Sequence, residues 1–263
     1  MNKPHRKRSE KQRGDAPGRA IIYGWHSAVA ALKNPKRRIH RLLAMPNALA
    51  RLSELGIGGL PEPAEPRDIE RAAGAGAVHQ GIVIIADPLP ETDLADLEGA
   101  KLVIVLDQVT DPHNVGAILR SAAVFGADAI VLAERNGPAE SGVLAKAASG
   151  GLEHVAIVRV KNLARALDQL SAMGFLRLGL DSGHSEPIEA ADPDDKIAIA
   201  LGAEGKGLRR LTREKCDRLV RIDAPGPIKS LNVSNAAALA LFVLTAPPAQ
   251  PARSEPPLTR SQP

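Results

Sequence analysis

From Lys101 onward six short apolar runs recur, at 102–107 (LVIVLD), 128–133 (DAIVLA), 155–160 (VAIVRV), 175–180 (FLRLGL), 196–202 (KIAIALG) and 218–222 (RLVRI). Stretches of helical character lie between or after them, at 114–125, 140–148, 161–173 and 234–246. Short apolar strands that alternate with helices predict a parallel sheet buried on both faces, and so an α/β fold class. In such a sheet the loops at the strand C-termini gather along one edge, where open α/β proteins hold their ligands. The polar residues of those loops are therefore the place to look for chemistry.

Three of the loops are rich in such residues. The first, Asp107-Gln108-Val109-Thr110-Asp111-Pro112-His113-Asn114-Val115-Gly116, opens a helix in which Val115, Ile118, Leu119 and Ala122 share a buried stripe. Asn114 is expected at its N-cap. Arg120 falls about 100° around the helix from Leu119. There it either snorkels to solvent or points into the cleft as a clamp on an oxyanion or phosphate. His113 is read as structural. The second loop, Gly202-Ala203-Glu204-Gly205-Lys206-Gly207, carries one carboxylate among glycines that let backbone approach a ligand closely. It lacks the GxxxxGK[ST] spacing, so Lys206 is not an ATP lysine. The third loop runs from Ile222 to Asn235 and offers Ser230, Asn232, Ser234 and Asn235. One helix N-terminus needs one such cap. The surplus is either a wet turn or a ligand contact.

The order and spacing of these loops resemble the SpoU (TrmH) family of RNA ribose 2′-O-methyltransferases, within the SPOUT superfamily. The first family motif matches Asp107-x-x-x-Asp111-Pro112-x-Asn114-x-Gly116-x-x-x-Arg120-Ser121-Ala122. The second matches Leu201-Gly202-x-Glu204-Gly205-x-Gly207-Leu208, and the third matches Ile222 followed by Ser230-Leu231-Asn232-Val233-Ser234. Ala203 stands where many members carry Ser, and Asn235 where Val is usual. Neither change removes a key side chain.

The resemblance covers about residues 20–246 and is closest to the branch acting on guanosine of 23S rRNA. It implies S-adenosylmethionine as cofactor, a trefoil knot in the C-terminal half and a homodimer. It implies that backbone groups of Gly202, Ile222 and Leu231 hold the cofactor. It makes Asn114, Arg120, Glu204, Ser230 and Asn232 the catalytic set, with Arg120 completing the partner protomer's site. The implied chemistry is direct displacement at the sulfonium methyl by a ribose 2′-oxygen, without a metal. A guanidinium resists deprotonation, so Arg120 is read as a clamp, not as the base.

The N-terminal third reads differently. Residues 1–19 hold a run of Lys and Arg and are expected to be a disordered basic tail. Residues 20–86 read as a small α/β unit, with Ser27 capping a first helix. Through Tyr23-Gly24 and His79-Gln80-Gly81 this unit resembles the family's substrate-binding domain. Arg37, Arg38 and Arg41 lie in one basic run and, with the tail, are the candidate RNA contacts. Residues 87–100 carry acids and prolines and read as a linker to a methyltransferase domain at 101–246. Residues 247–263 read as a disordered Pro-rich tail.

Composition narrows the classes further. The single cysteine, Cys216, excludes an internal disulfide, and there is no CxxC or HExxH spacing. No apolar run reaches the roughly 18 residues of a membrane span, so a cytoplasmic protein without membrane or metal is expected. The strand pattern also suits a dehydrogenase, but the first strand is followed by Asp107-Gln108-Val109 and not by GxGxxG. A non-catalytic RNA-binding relative is expected to lose Asn114, Arg120 or Glu204, and all three are present. A tRNA-directed member remains the alternative to an rRNA enzyme. The separate N-terminal unit favours rRNA.

Overall fold

The computed structural model describes residues 18–135, 137–183, 186–188, 196–223, 225–227 and 230–246. The expected Pro-rich tail and all of the basic tail except Gly18 and Arg19 lie outside the described residues. The chain divides into two compact units. Among the described residues, the first gathers 18–91 together with Asp111–Gly116 and Pro138–Glu153. The second gathers the described residues of Thr92–Thr110, Ala117–Gly137 and 154–246.

In the first unit, strands β1 (Ala20–Tyr23), β2 (Ile39–Ala44) and β3 (Ile82–Ala86) form an antiparallel sheet with β3 in the middle. All of β3 is buried, as its unbroken apolar run requires. Helices α1 (Trp25–Lys33), α2 (Pro46–Glu54) and α3 (Pro66–Ala73) follow the strands. Both α2 and α3 start on proline, whose missing N–H would have had no helical partner there. Tyr23, Leu43, Ile69 and Val83 form a core cluster. Ser27 is not the cap of α1. It lies inside the helix, 4% exposed, and its hydroxyl donates to the Ala145 carbonyl at 2.7 Å. That bond ties α1 to α5 (Gly142–Ala148), so a segment distant in sequence completes this unit.

The second unit is the parallel sheet that the sequence pattern predicts. Strands β4 (Leu102–Asp107), β5 (Ala129–Ala133), β6 (Ala156–Val160), β7 (Leu176–Leu180), β8 (Glu186–Pro187), β9 (Ile197–Gly202) and β10 (Arg218–Arg221) pair in the order β6-β5-β4-β9-β7-β10-β8, parallel throughout. Alternate side chains go to opposite faces. On one face Val103, Val105, Val131, Val158, Ala198 and Ala200 pack with Leu163, Leu167 and Leu170 of α6 (Leu163–Ala172). Ile104, Leu106, Ile130, Leu132, Ile199 and Leu201 point the other way and are equally buried. Helix α8 (Val233–Thr245) packs against β9.

Two details depart from the sequence reading. The stretch 87–100 is not a bare linker. Its residues Leu94–Leu97 form a 3-10 turn capped by Asp93, and Leu94, Leu97 and Ala100 join the core of the second unit. Helix α4 (Pro112–Val124) begins two residues earlier than expected. Asn114 therefore lies within its first turn. Asp111 takes the capping place, its carbonyl accepting from Val115 N and its carboxylate from His113 N at 2.9 Å. Helix α7 (Arg210–Glu214), only five residues long, has no counterpart in the sequence reading. No described helix is long and apolar enough to cross a membrane.

Candidate active site

Strands β9, β7 and β10 end side by side, and their C-terminal loops enclose a cavity of about 510 Å³, within the usual size of small-molecule sites. Its walls include Gly202, Glu204, Ile222, Ser230 and Leu231, five of the residues singled out from the sequence. Leu180, Leu201, Leu208 and Val233 make part of the lining apolar.

The second loop folds back on its own start. Gly207 N donates to Ala203 O at 2.8 Å, and Gly205 and Gly207 both have positive φ. Gly202 is required by the closeness of this return. A Cβ there would meet the Gly207 carbonyl carbon at 2.0 Å and Leu208 N at 2.4 Å. The base of the loop is pinned from below. Asp107, at the end of β4 and 0% exposed, accepts from Arg209 N at 2.9 Å and from Arg209 Nε at 2.6 Å. The first Asp of the first motif thus orients the second motif.

The third loop answers the question of surplus polar groups. Asn232 is the N-cap of α8, its Oδ1 accepting from Ser234 N at 2.9 Å and from Ser234 Oγ at 2.5 Å. Its Nδ2 donates to Glu204 Oε1 at 2.5 Å, and Val233 N reaches the same oxygen at 3.4 Å. One asparagine therefore caps a helix and joins the second loop to the third. The Glu204 carboxylate fixes which way its amide faces.

Other candidates fall outside this group. Arg120 is exposed on α4 and does not line the cavity. Asn114 is half-buried in the segment that belongs with the first unit. In the first unit, Arg38 and Arg41 are exposed. Arg37 is corrected: it is no surface cation. Its side chain is 0% exposed, with Nη1 on Glu140 at 2.6 Å and Nη2 on Glu153 at 2.6 Å. Burial opposes its charge, but the bond to Glu153 and the charges of both carboxylates outweigh that and hold the proton more tightly than usual. No phosphate reaches it.

The sequence reading missed Asp181, Ser182 and Arg213, which also line the cavity. Asp181 follows β7 directly, so the strand-end rule that marked the other loops also points to it. Nothing local marks Arg213, which sits in the short α7. Cys216 nearby is inert. Burial pushes its thiol up to about 12, and Sγ donates to Thr212 O at 3.2 Å. Among the described residues no group of His, Cys, Asp and Glu could hold a metal ion.

Comparison with known proteins gives consistent results. The profile of the SpoU rRNA Methylase family matches residues 101–242. A 23S rRNA (guanosine-2′-O-)-methyltransferase RlmB of Vibrio vulnificus is 38% identical over 84% of this chain and 94% of its own length. The RlmB of Ralstonia nicotianae is 37% identical over 84% of this chain and 93% of its own. Among solved structures, the SpoU methyltransferase AviRb of Streptomyces viridochromogenes, in complex with AdoMet, shares the fold. Its TM-score is 0.72 at 21% identity, covering 87% of this chain and 89% of that one.

Proposed function

The chain belongs to the SpoU rRNA methylase family, and from that premise we propose that it transfers a methyl group from S-adenosylmethionine to the ribose 2′-oxygen of a guanosine in 23S rRNA. The observation that carries this reading is the cavity at the ends of β9, β7 and β10 with the Glu204–Asn232 bond beside it. The residues present fit the cofactor. The cavity has the volume for it, its apolar walls suit an adenine, and Gly202 lets the second loop return closely enough to form part of the wall.

The sulfonium of bound S-adenosylmethionine already activates the methyl group, so the protein's share of the work is alignment. The backbone at Gly202, Ile222 and Leu231 holds the cofactor. Glu204 fixes the Asn232 amide, and Asn232 with Ser230 and Asn114 orients the ribose. Arg120, always charged, clamps the neighbouring phosphate or the alkoxide that develops at the 2′-oxygen.

Four further features complete the proposal. The protein is a homodimer, with Arg120 serving the partner's site. Support comes from the exposed apolar side chains of Val124, Leu239 and Phe242, with Phe125 packed edge-on against Phe242. A monomeric mass in solution at working concentration would defeat this. The C-terminal half is threaded as a trefoil knot, in keeping with β9 lying between β4 and β7 although it follows both in sequence. Pulling the chain to its full contour length would disprove a knot. Residues 20–86 form the substrate-binding domain, which presents Arg38 and Arg41 to RNA. An rRNA substrate places the protein in the cytoplasm.

The test is methyl transfer from radiolabelled S-adenosylmethionine to unmodified 23S rRNA and to bulk tRNA in parallel, with the block mapped by primer extension. The expected result is a 2′-O-methylguanosine in rRNA, with Asn114→Ala slower by about a hundredfold, the cost of a misplaced reacting group. A mark on tRNA alone would overturn the rRNA assignment. Cofactor binding without transfer to either RNA would overturn the catalytic one.

A further inference from the structure

We propose that Arg213 and Asp181 form the subsite for the amino-acid end of S-adenosylmethionine. This rests on the cofactor reading above and adds to it the side chains that receive the zwitterion. Both residues line the cavity, Asp181 from the end of β7 and Arg213 from α7. They are paired with each other through Arg213 Nη2 and Asp181 Oδ2. Asp181 Oδ1 also accepts from Gly183 N at 2.9 Å, which fixes the carboxylate on the turn.

Donors are left over. The Arg213 side chain is 41% exposed and stands in the cavity wall, and its one described bond runs from Nη2 to Asp181. Its Nε is sealed from solvent, so it is the exposed end of the guanidinium that meets an acceptor brought by a ligand of the cavity. The cofactor has acceptors on its adenine, its ribose and its carboxylate. The carboxylate is the one that makes a charge-assisted bond to a guanidinium. The same end of the molecule carries an ammonium. Asp181 can accept it, because a carboxylate has about four acceptor sites and its described contacts use two. An ion pair in the wall thus offers opposite charges side by side to a ligand that carries both. The adenosine end is uncharged and suits the apolar walls at Leu208 and Leu231 instead.

The experiment compares two ligands by calorimetry on the full-length protein. S-adenosylhomocysteine has the amino-acid end, and 5′-methylthioadenosine lacks it. Arg213→Lys keeps a cation opposite Asp181 and removes the forked donors of the guanidinium. It is expected to weaken S-adenosylhomocysteine by about tenfold, the scale of one charge-assisted bond, while 5′-methylthioadenosine changes by less than about twofold. Asp181→Asn, which removes the charge that meets the ammonium, is expected to show the same selectivity and decides the matter if the lysine variant does not fold. Equal weakening of both ligands, or of neither, overturns the subsite. If the wild-type protein binds neither ligand, the cofactor reading falls and this subsite with it. Selective binding of 5′-methylthioadenosine unchanged by both substitutions, alongside unchanged S-adenosylhomocysteine, sinks the subsite alone.

Discussion

Two arginine–carboxylate clusters in this protein use the same groups to opposite ends. In the first unit, Arg37 is enclosed. Its Nε and Nη2 bind Glu153, and its Nη1 is shared between Glu140 and the Asp87 carbonyl at 3.1 Å. Asn34 Nδ2 adds a bond to Glu153 at 2.6 Å. In the second unit, Arg213 is 41% exposed at its side chain, engages Asp181 through one nitrogen and stands in a cavity wall. A charge that is buried and saturated holds a scaffold together. A charge that is half-open, with a donor to spare, is placed for a ligand. Residue type does not distinguish the two, but the count of satisfied donors does.

The largest expected effect tests the closed cluster. Arg37→Met leaves Glu153, only 2% exposed, and Glu140 without their cation. Removing one partner of a buried pair costs about 3–5 kcal/mol. The loss should register in urea denaturation of the full-length protein and as faster amide exchange in β1 and β3. Arg38→Met, at a side chain 80% exposed, should leave both unchanged. A loss below about 1 kcal/mol for Arg37→Met would place that cluster with ordinary surface pairs and remove the contrast.

The second test turns to the cavity. In Gly202→Ala the new Cβ meets backbone of Gly207 and Leu208, not the tip of a flexible side chain, so the return of the loop must open. Affinity for S-adenosylhomocysteine should fall by about a hundredfold, as for other displacements near 1 Å at a site. Gly205→Ala meets no atom within 4 Å and is strained only through its positive φ. Its cost should be about 1–2 kcal/mol of stability, with little change in binding. Equal affinities for the two variants would mean that Gly202 does not shape the cavity.

These same residues show what the chain reveals in one dimension. The parallel sheet was legible because each strand is an apolar run flanked by polar turns, and the strand-end rule then led to the loops that carry Glu204 and Ser230, whereas Gly202, Ile222 and Leu231 were singled out only by the family resemblance. Local pattern stops where partners are distant. Arg37 sits in a basic run and reads as surface, because the carboxylates that bury it lie 103 and 116 residues away. Leu94 and Leu97 were hidden among acids, and their burial follows only from where the core of the second unit lies. Asn232 was legible as one of several polar residues, but that it would serve the helix and Glu204 at once depends on two loops meeting. Arg213 lies in a helix too short to show a period.

The smallest expected effect sharpens the contrast on its outer side. If saturation decides role, the arginines left for RNA in the run 36–43 are those with exposed side chains, Arg38 and Arg41. Arg38 comes only within 3.9 Å of Asp87, whose carboxyl is held below its ordinary range chiefly by its bond to His40. Such an arginine contributes by displacing counterions from phosphate. The double variant Arg38→Gln, Arg41→Gln should therefore weaken rRNA binding by reducing the slope of log affinity against log salt, by about 1.4 to 1.8 for two contacts. Because phosphate contacts carry no sequence information, binding to unrelated RNA should lose the same slope. Titrations between about 50 and 200 mM salt measure it. An unchanged slope would show that exposure alone does not make these arginines RNA contacts, and would move the RNA surface elsewhere on the molecule.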